Sequence, residues 1–81
     1  MPTIFRQNGF RVIIYFNDHL PSHVHILKGG GEIKIDLKDG MSKPKLIAII
    51  GDIKDRDVAK ALKLAADNQA LLLAKWKEIH G

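Results

Sequence analysis

The stretch HVHILKGGGEIKIDL, residues 23–37, constrains this chain more than any other. Two runs alternate polar and apolar side chains, with Gly29, Gly30 and Gly31 between them. Alternation of this kind marks strands with one buried face, and glycine frees the backbone for a tight reversal. The stretch therefore predicts a β-hairpin. Its register follows from the side chains. Pairing Ile26 with Ile33, and Val24 with Ile35, collects four aliphatic groups on one face. The same register sets His23 opposite Asp36 and His25 opposite Lys34 on the other face. A slip of one residue mixes the two faces and exposes the aliphatic set.

Flanking segments extend the sheet. Residues 3–6 (TIFR) form a short strand ended by Asn8-Gly9, a strong turn dipeptide. Residues 10–16 (FRVIIYF) are rich in β-branched and aromatic side chains and predict a largely buried strand. Asn17, Asp18, Pro21 and Ser22 then break the pattern. Residues 45–53 (KLIAIIGDI) are a continuous apolar run, either a last strand or a buried lead-in to a helix. Val58, Leu62, Ala65, Leu72, Trp76 and Ile79 follow helical spacing and lay one apolar stripe over residues 55–79. Asp52 or Asp55 is the expected cap of that helix. Residues 66–70 (ADNQA) are where it would kink or split, because Asp and Asn suit helix interiors poorly. The expected architecture is α+β: a small, mainly antiparallel sheet of four to five strands packed against a long C-terminal helix. At 81 residues it is a single domain, residues 1–81.

Composition narrows the chemistry. The chain has no cysteine, which excludes disulfide staples and thiolate metal sites. It opens with no secretory or membrane-spanning pattern, so a soluble, cytoplasmic protein is expected. Thirteen Lys and Arg against nine Asp and Glu give a net charge of +4. That surplus suits either nucleic acid or an acidic protein partner.

Three of the four histidines, His19, His23 and His25, fall within seven residues. Three readings stay open. In the first they are metal ligands: His23 and His25 project the same way from a strand, and His19 or Asp18 completes the set, with zinc as the ion. In the second they work as acids, bases and phosphate contacts, since imidazole exchanges protons near neutral pH. His23 is then oriented by Asp36, Lys34 and His25 meet phosphate, and Arg11 assists from the neighbouring strand. A cationic face of this kind suits cleavage of RNA without a metal or other cofactor. In the third the histidines are simply the solvated face of an amphipathic hairpin.

Other features carry less. The three glycines lack the Lys-Ser/Thr of a phosphate loop and read as a permissive turn. Arg56, Lys60 and Lys63 form a basic ridge at helical spacing, open to nucleic acid or to water. Trp76 reads as a core anchor. His80, near the helix end, favours the helix dipole when charged.

The segments MPTIFR and GFRVIIYFNDHLPSHVHI, with the closing LLLAKWKEIHG, resemble a family of small bacterial proteins, domain of unknown function 4160. The matching positions are Pro2, Tyr15, Phe16, Asp18, His19, Pro21, His23, His25, Asp36, Leu72 and Trp76. Ser22 stands where that family usually has a second proline, and residues 45–57 match it weakly. The resemblance implies a toxin-type component of a bacterial toxin–antitoxin pair, with a cognate small protein encoded nearby and RNA as a target. The expectation is thus an RNA-binding or metal-independent RNA-cleaving protein. His23, His25 and Asp36 would be its catalytic groups, and Arg11, Lys34, Arg56, Lys60 and Lys63 its nucleic-acid contacts. The alternative is a non-catalytic metal-binding or protein-interaction module. No membrane partner is expected, and the exposed sheet edges leave room for a homodimer.

Overall fold

A computed structural model describes residues 3–81. Pro2, one of the positions matching the family pattern, lies outside that range. Five strands precede two helices: β1 (Thr3–Gln7), β2 (Phe10–Ile13), β3 (His23–Lys28), β4 (Gly31–Asp36), β5 (Lys45–Gly51), α1 (Asp55–Asp67) and α2 (Gln69–His80). The strands form one sheet in chain order, and every neighbouring pair is antiparallel.

The central hairpin has the expected register. Ile26 faces Ile33, Val24 faces Ile35, His23 faces Asp36 and His25 faces Lys34. Val12 of β2 continues the row beside Ile26. Val12, Val24, Ile26, Ile33 and Ile35 are fully buried, and Ala61, Leu64, Ala65, Leu72 and Trp76 of the helices cover them. Burying one such aliphatic side chain stabilises the fold by about 1.5–3 kcal/mol. The apolar run after residue 44 is a strand, β5, at the sheet edge. A register shift between Lys34 and Ile35 interrupts its ladder with β4.

Near the hairpin turn, the end of β5 comes very close. A Cβ on Gly51, where φ is +80°, would strike the Gly30 carbonyl, and one on Gly31 would lie 2.8 Å from the Asp52 carbonyl oxygen. Gly31 is therefore glycine for want of space, and Gly51 for backbone freedom as well.

The long helix expected over residues 55–79 is two helices. Asn68 leaves helical geometry (φ −115°, ψ 16°), and its side-chain amide donates to the Leu64 carbonyl at 2.9 Å. Next to it, the Gln69 amide donates to the carbonyls of Leu37 (2.7 Å) and Ser42 (2.8 Å). The break is thereby pinned to the loop that follows β4. Neither Asp52 nor Asp55 caps α1, whose N-cap is Lys54; Asp55 and Asp57 instead sit in the first turn, where negative charge suits the helix dipole. Among the described residues, no helix is long and apolar enough to cross a membrane.

Candidate functional site

β3 alternates strictly, so His23 and His25 leave the face opposite to Val24 and Ile26. That face is not open to water at this end. His23 is 3% exposed and His25 9%. What covers them is the segment between β2 and β3. The strand expected over residues 10–16 stops at Ile13, because the chain turns at once. The Tyr15 amide donates to Asp18 Oδ2 at 3.0 Å, and the Asp18 amide donates to the Tyr15 carbonyl at 3.2 Å. This reciprocal pair swings the Asp18 carboxylate over the two imidazoles. The Tyr15 ring meets the His25 ring edge-on, with centroids 4.7 Å apart. From α2, Trp76 approaches to 5.2 Å of the His23 ring.

A hydrogen bond fixes one proton on the His23 ring. A carbonyl oxygen only accepts, so the 2.7 Å contact of His23 Nδ1 with the Pro21 carbonyl puts the proton on Nδ1. His25 Nδ1 lies 3.0 Å from Glu32 Oε2, but its Nε2 faces a second carboxylate, Asp18, so each contact is a hydrogen bond only where that nitrogen carries the proton. Both rings then turn Nε2 towards one place, the Asp18 carboxylate. His25 Nε2 lies 3.3 Å from Oδ1 and 3.2 Å from Oδ2. His23 Nε2 lies 3.4 Å from Oδ1 but is poorly aligned; it is buried and has no hydrogen-bond partner among the described residues. One ligand atom from each of Asp18, His23 and His25 can be chosen so that all three lie within 4.8 Å of one another. Burial pushes the Asp18 carboxyl up, but the Tyr15 amide and the neighbouring His25 and His23 outweigh it. The group is held below the usual carboxylate range and stays anionic at neutral pH.

The remaining expected residues are placed as follows. His19 is exposed and, with Asn17, Asp18, His23, Lys34 and Asp36, lines a pocket of about 390 Å³ beside the cluster. Lys34 stands directly across from His25. Asp36 stands across from His23, but its oxygens serve Lys38: Oδ1 accepts from the Lys38 amide at 2.8 Å, and Oδ2 lies 3.6 Å from Nζ. The orienting partner of His23 is the Pro21 carbonyl. Arg11 donates from Nε to Thr3 Oγ1 at 2.9 Å, further along the sheet. Arg56, Lys60 and Lys63 are exposed on α1, which packs on the other face, and Lys63 pairs with Asp67 at 3.0 Å.

Glu32 was missed as a site residue. The residue directly opposite His25 is a lysine, which cannot accept a hydrogen bond, so the imidazole reaches its diagonal neighbour. Strand parity, which puts Glu32, Lys34 and Asp36 on one face, was the available signal.

In comparison with known proteins, the family model described as "Domain of unknown function (DUF4160)" matches residues 9–77. No curated protein and no solved structure matches the chain.

Proposed function

The chain belongs to the DUF4160 family, whose description carries no activity, and we propose from its geometry that it is a metal-binding module. The ion is zinc or a similar divalent transition metal, held by Asp18, His23 and His25. One observation carries this reading: both imidazoles are anchored through Nδ1 and turn Nε2 towards a single carboxylate. Metal-bound histidines commonly donate the other ring N–H to a carboxylate or a backbone carbonyl, and Glu32 and Pro21 occupy those places. Spacing agrees for the two pairs that involve Asp18. Zinc bonds of about 2.0–2.2 Å put tetrahedral ligand atoms about 3.3–3.6 Å apart. The Asp18-to-imidazole separations here are 3.2–3.4 Å, while the set as a whole lies within 4.8 Å, so the two imidazoles would draw together on an ion. Two imidazoles and one carboxylate suit a borderline ion such as zinc better than calcium or magnesium, which prefer all-oxygen shells.

The test is a zinc titration of chelator-treated protein, followed by calorimetry and thermal melting. Stoichiometric uptake is expected, together with stabilisation of about 2.7 kcal/mol at a free zinc concentration a hundred times the dissociation constant. His23→Ala and Asp18→Asn should each abolish the tight site. Equal uptake by wild type and both variants would sink the reading.

A toxin-type protein that cleaves RNA through metal-free acid–base chemistry is the second reading. The observation favouring it is that His23, His25 and Lys34 share one sheet face. Against it stand the burial of His23 and the engagement of Asp36 with Lys38. RNA cleavage that survives chelation and fails in His25→Ala would select it.

A further inference from the structure

The coordinating nitrogens lie inside the cluster, while Asp18 and His23 also form part of the wall of the 390 Å³ pocket. Three protein ligands leave a tetrahedral zinc one position for something else. Because Asp18 and His23 also line the pocket, a group reaching an ion held by them from that side would meet the pocket's other side chains.

Their charges are unequal. Asp36 is committed to Lys38. The Lys34 ammonium forms no ion pair or hydrogen bond with any described residue, and its strand position directly across from His25 places it beside the cluster. A divalent ion is balanced in formal charge by Asp18 and Glu32, which leaves Lys34 as a local surplus of one positive charge. Exposed His19 and Asn17 add donors on the loop side. An anion fits this wall and a cation does not. Carboxylates are best recognised by the planar fork of arginine, whereas lysine and a metal ion act as point charges that suit the separate oxygens of a phosphoryl group.

Building on the metal reading, we propose that this pocket is a phosphoryl-binding site. One phosphoryl oxygen occupies the open position on the Asp18–His23–His25 ion, and another pairs with Lys34.

The test uses protein loaded with one equivalent of zinc and cleared of excess metal. Inorganic phosphate is titrated calorimetrically into wild type, into Lys34→Met and into chelator-treated wild type, with acetate as the carboxylate control. Phosphate should bind the zinc-loaded wild type, at least tenfold more weakly to zinc-loaded Lys34→Met, and not measurably to the metal-free protein. Zinc affinity should be no lower in the variant than in wild type, which separates a lost anion contact from a lost metal site or a lost fold. Zinc uptake without phosphate binding overturns this proposal alone, as does unchanged phosphate binding by Lys34→Met or equal binding of acetate. Failure to take up zinc overturns both proposals and traces the fault to the metal reading. A short oligoribonucleotide then identifies the source of the phosphoryl group. Competition with phosphate points to a phosphodiester and its absence to a free phosphate or monoester, and both uphold the class.

Discussion

Glu32 touches no proposed ligand position, yet it decides how His25 is presented. Its Oε2 lies 3.0 Å from Nδ1 and so holds the ring with Nε2 facing Asp18. Removing an outer partner of a metal-bound histidine commonly costs 10–100-fold in metal affinity. Glu32→Gln should therefore weaken zinc binding by about that factor in calorimetry while leaving stoichiometry at one. Unaltered affinity would mean that Glu32 is only a surface carboxylate. At this scale the sequence was partly legible. Strand parity was enough to bring His23 and His25 together, because a period of two leaves no alternative once the aliphatic face is known. Asp18 was foreseen only as one of two loop candidates, since nothing in a turn-forming segment says which side chain folds back. The reciprocal hydrogen bonds between Tyr15 and Asp18 make that choice. Burial of the histidines was not foreseen, because it depends on that fold-back and on Trp76 arriving from a helix more than fifty residues away in sequence.

Among the elements, the β3–β4 hairpin sets the site, and its turn is held by β5. Gly51 pairs with Gly31 at positive φ with no room for a side chain, whereas a Cβ on Gly30 meets nothing within 4 Å. Strained left-handed backbone costs a non-glycine residue about 1–3 kcal/mol, before any steric clash. Gly51→Ala should therefore lower unfolding stability by more than about 1 kcal/mol in urea, and Gly30→Ala should stay within about 0.5 kcal/mol of wild type. Equal effects would show that the close approach does not matter. This contact joins residues far apart in the chain, so the sequence could mark a glycine turn but not the strand pressing on it. The helices show a similar limit. One apolar stripe runs through α1 and α2, with Ala65, Leu72 and Trp76 all buried. The stripe therefore hid the break. The composition of residues 66–70 marked where a split was permitted, and the anchoring of Gln69 on Leu37 and Ser42 realises it.

For the whole molecule, the sheet and the helical layer are joined by charge as well as by the apolar core. Lys28 leaves the end of β3 on the helix side, lies over the Phe10 ring and donates to Asp57 Oδ1 at 3.1 Å. The Lys28 hydrogen bond is the largest influence on Asp57; it outweighs desolvation and holds the carboxyl below its ordinary value of 3.8. A carboxyl with a lower pKa folded than unfolded contributes stability that is fully present above the unfolded value. That stability is lost as pH falls through the folded value. Asp57→Asn should thus be less stable than wild type at neutral pH, and the gap should close as pH drops below about 3.8, where the wild-type carboxyl takes up its proton. Urea midpoints of the two proteins, followed from pH 7 down to the acid limit, measure this directly. A gap that stays constant across the titration would assign the loss to packing at the start of α1 rather than to the charge that joins the two layers. Asp57 lies on the helix side of the sheet and the histidine cluster on the other, so the same variant should leave zinc uptake at neutral pH unchanged. The clamp between layers and the candidate metal site can then be tested one at a time.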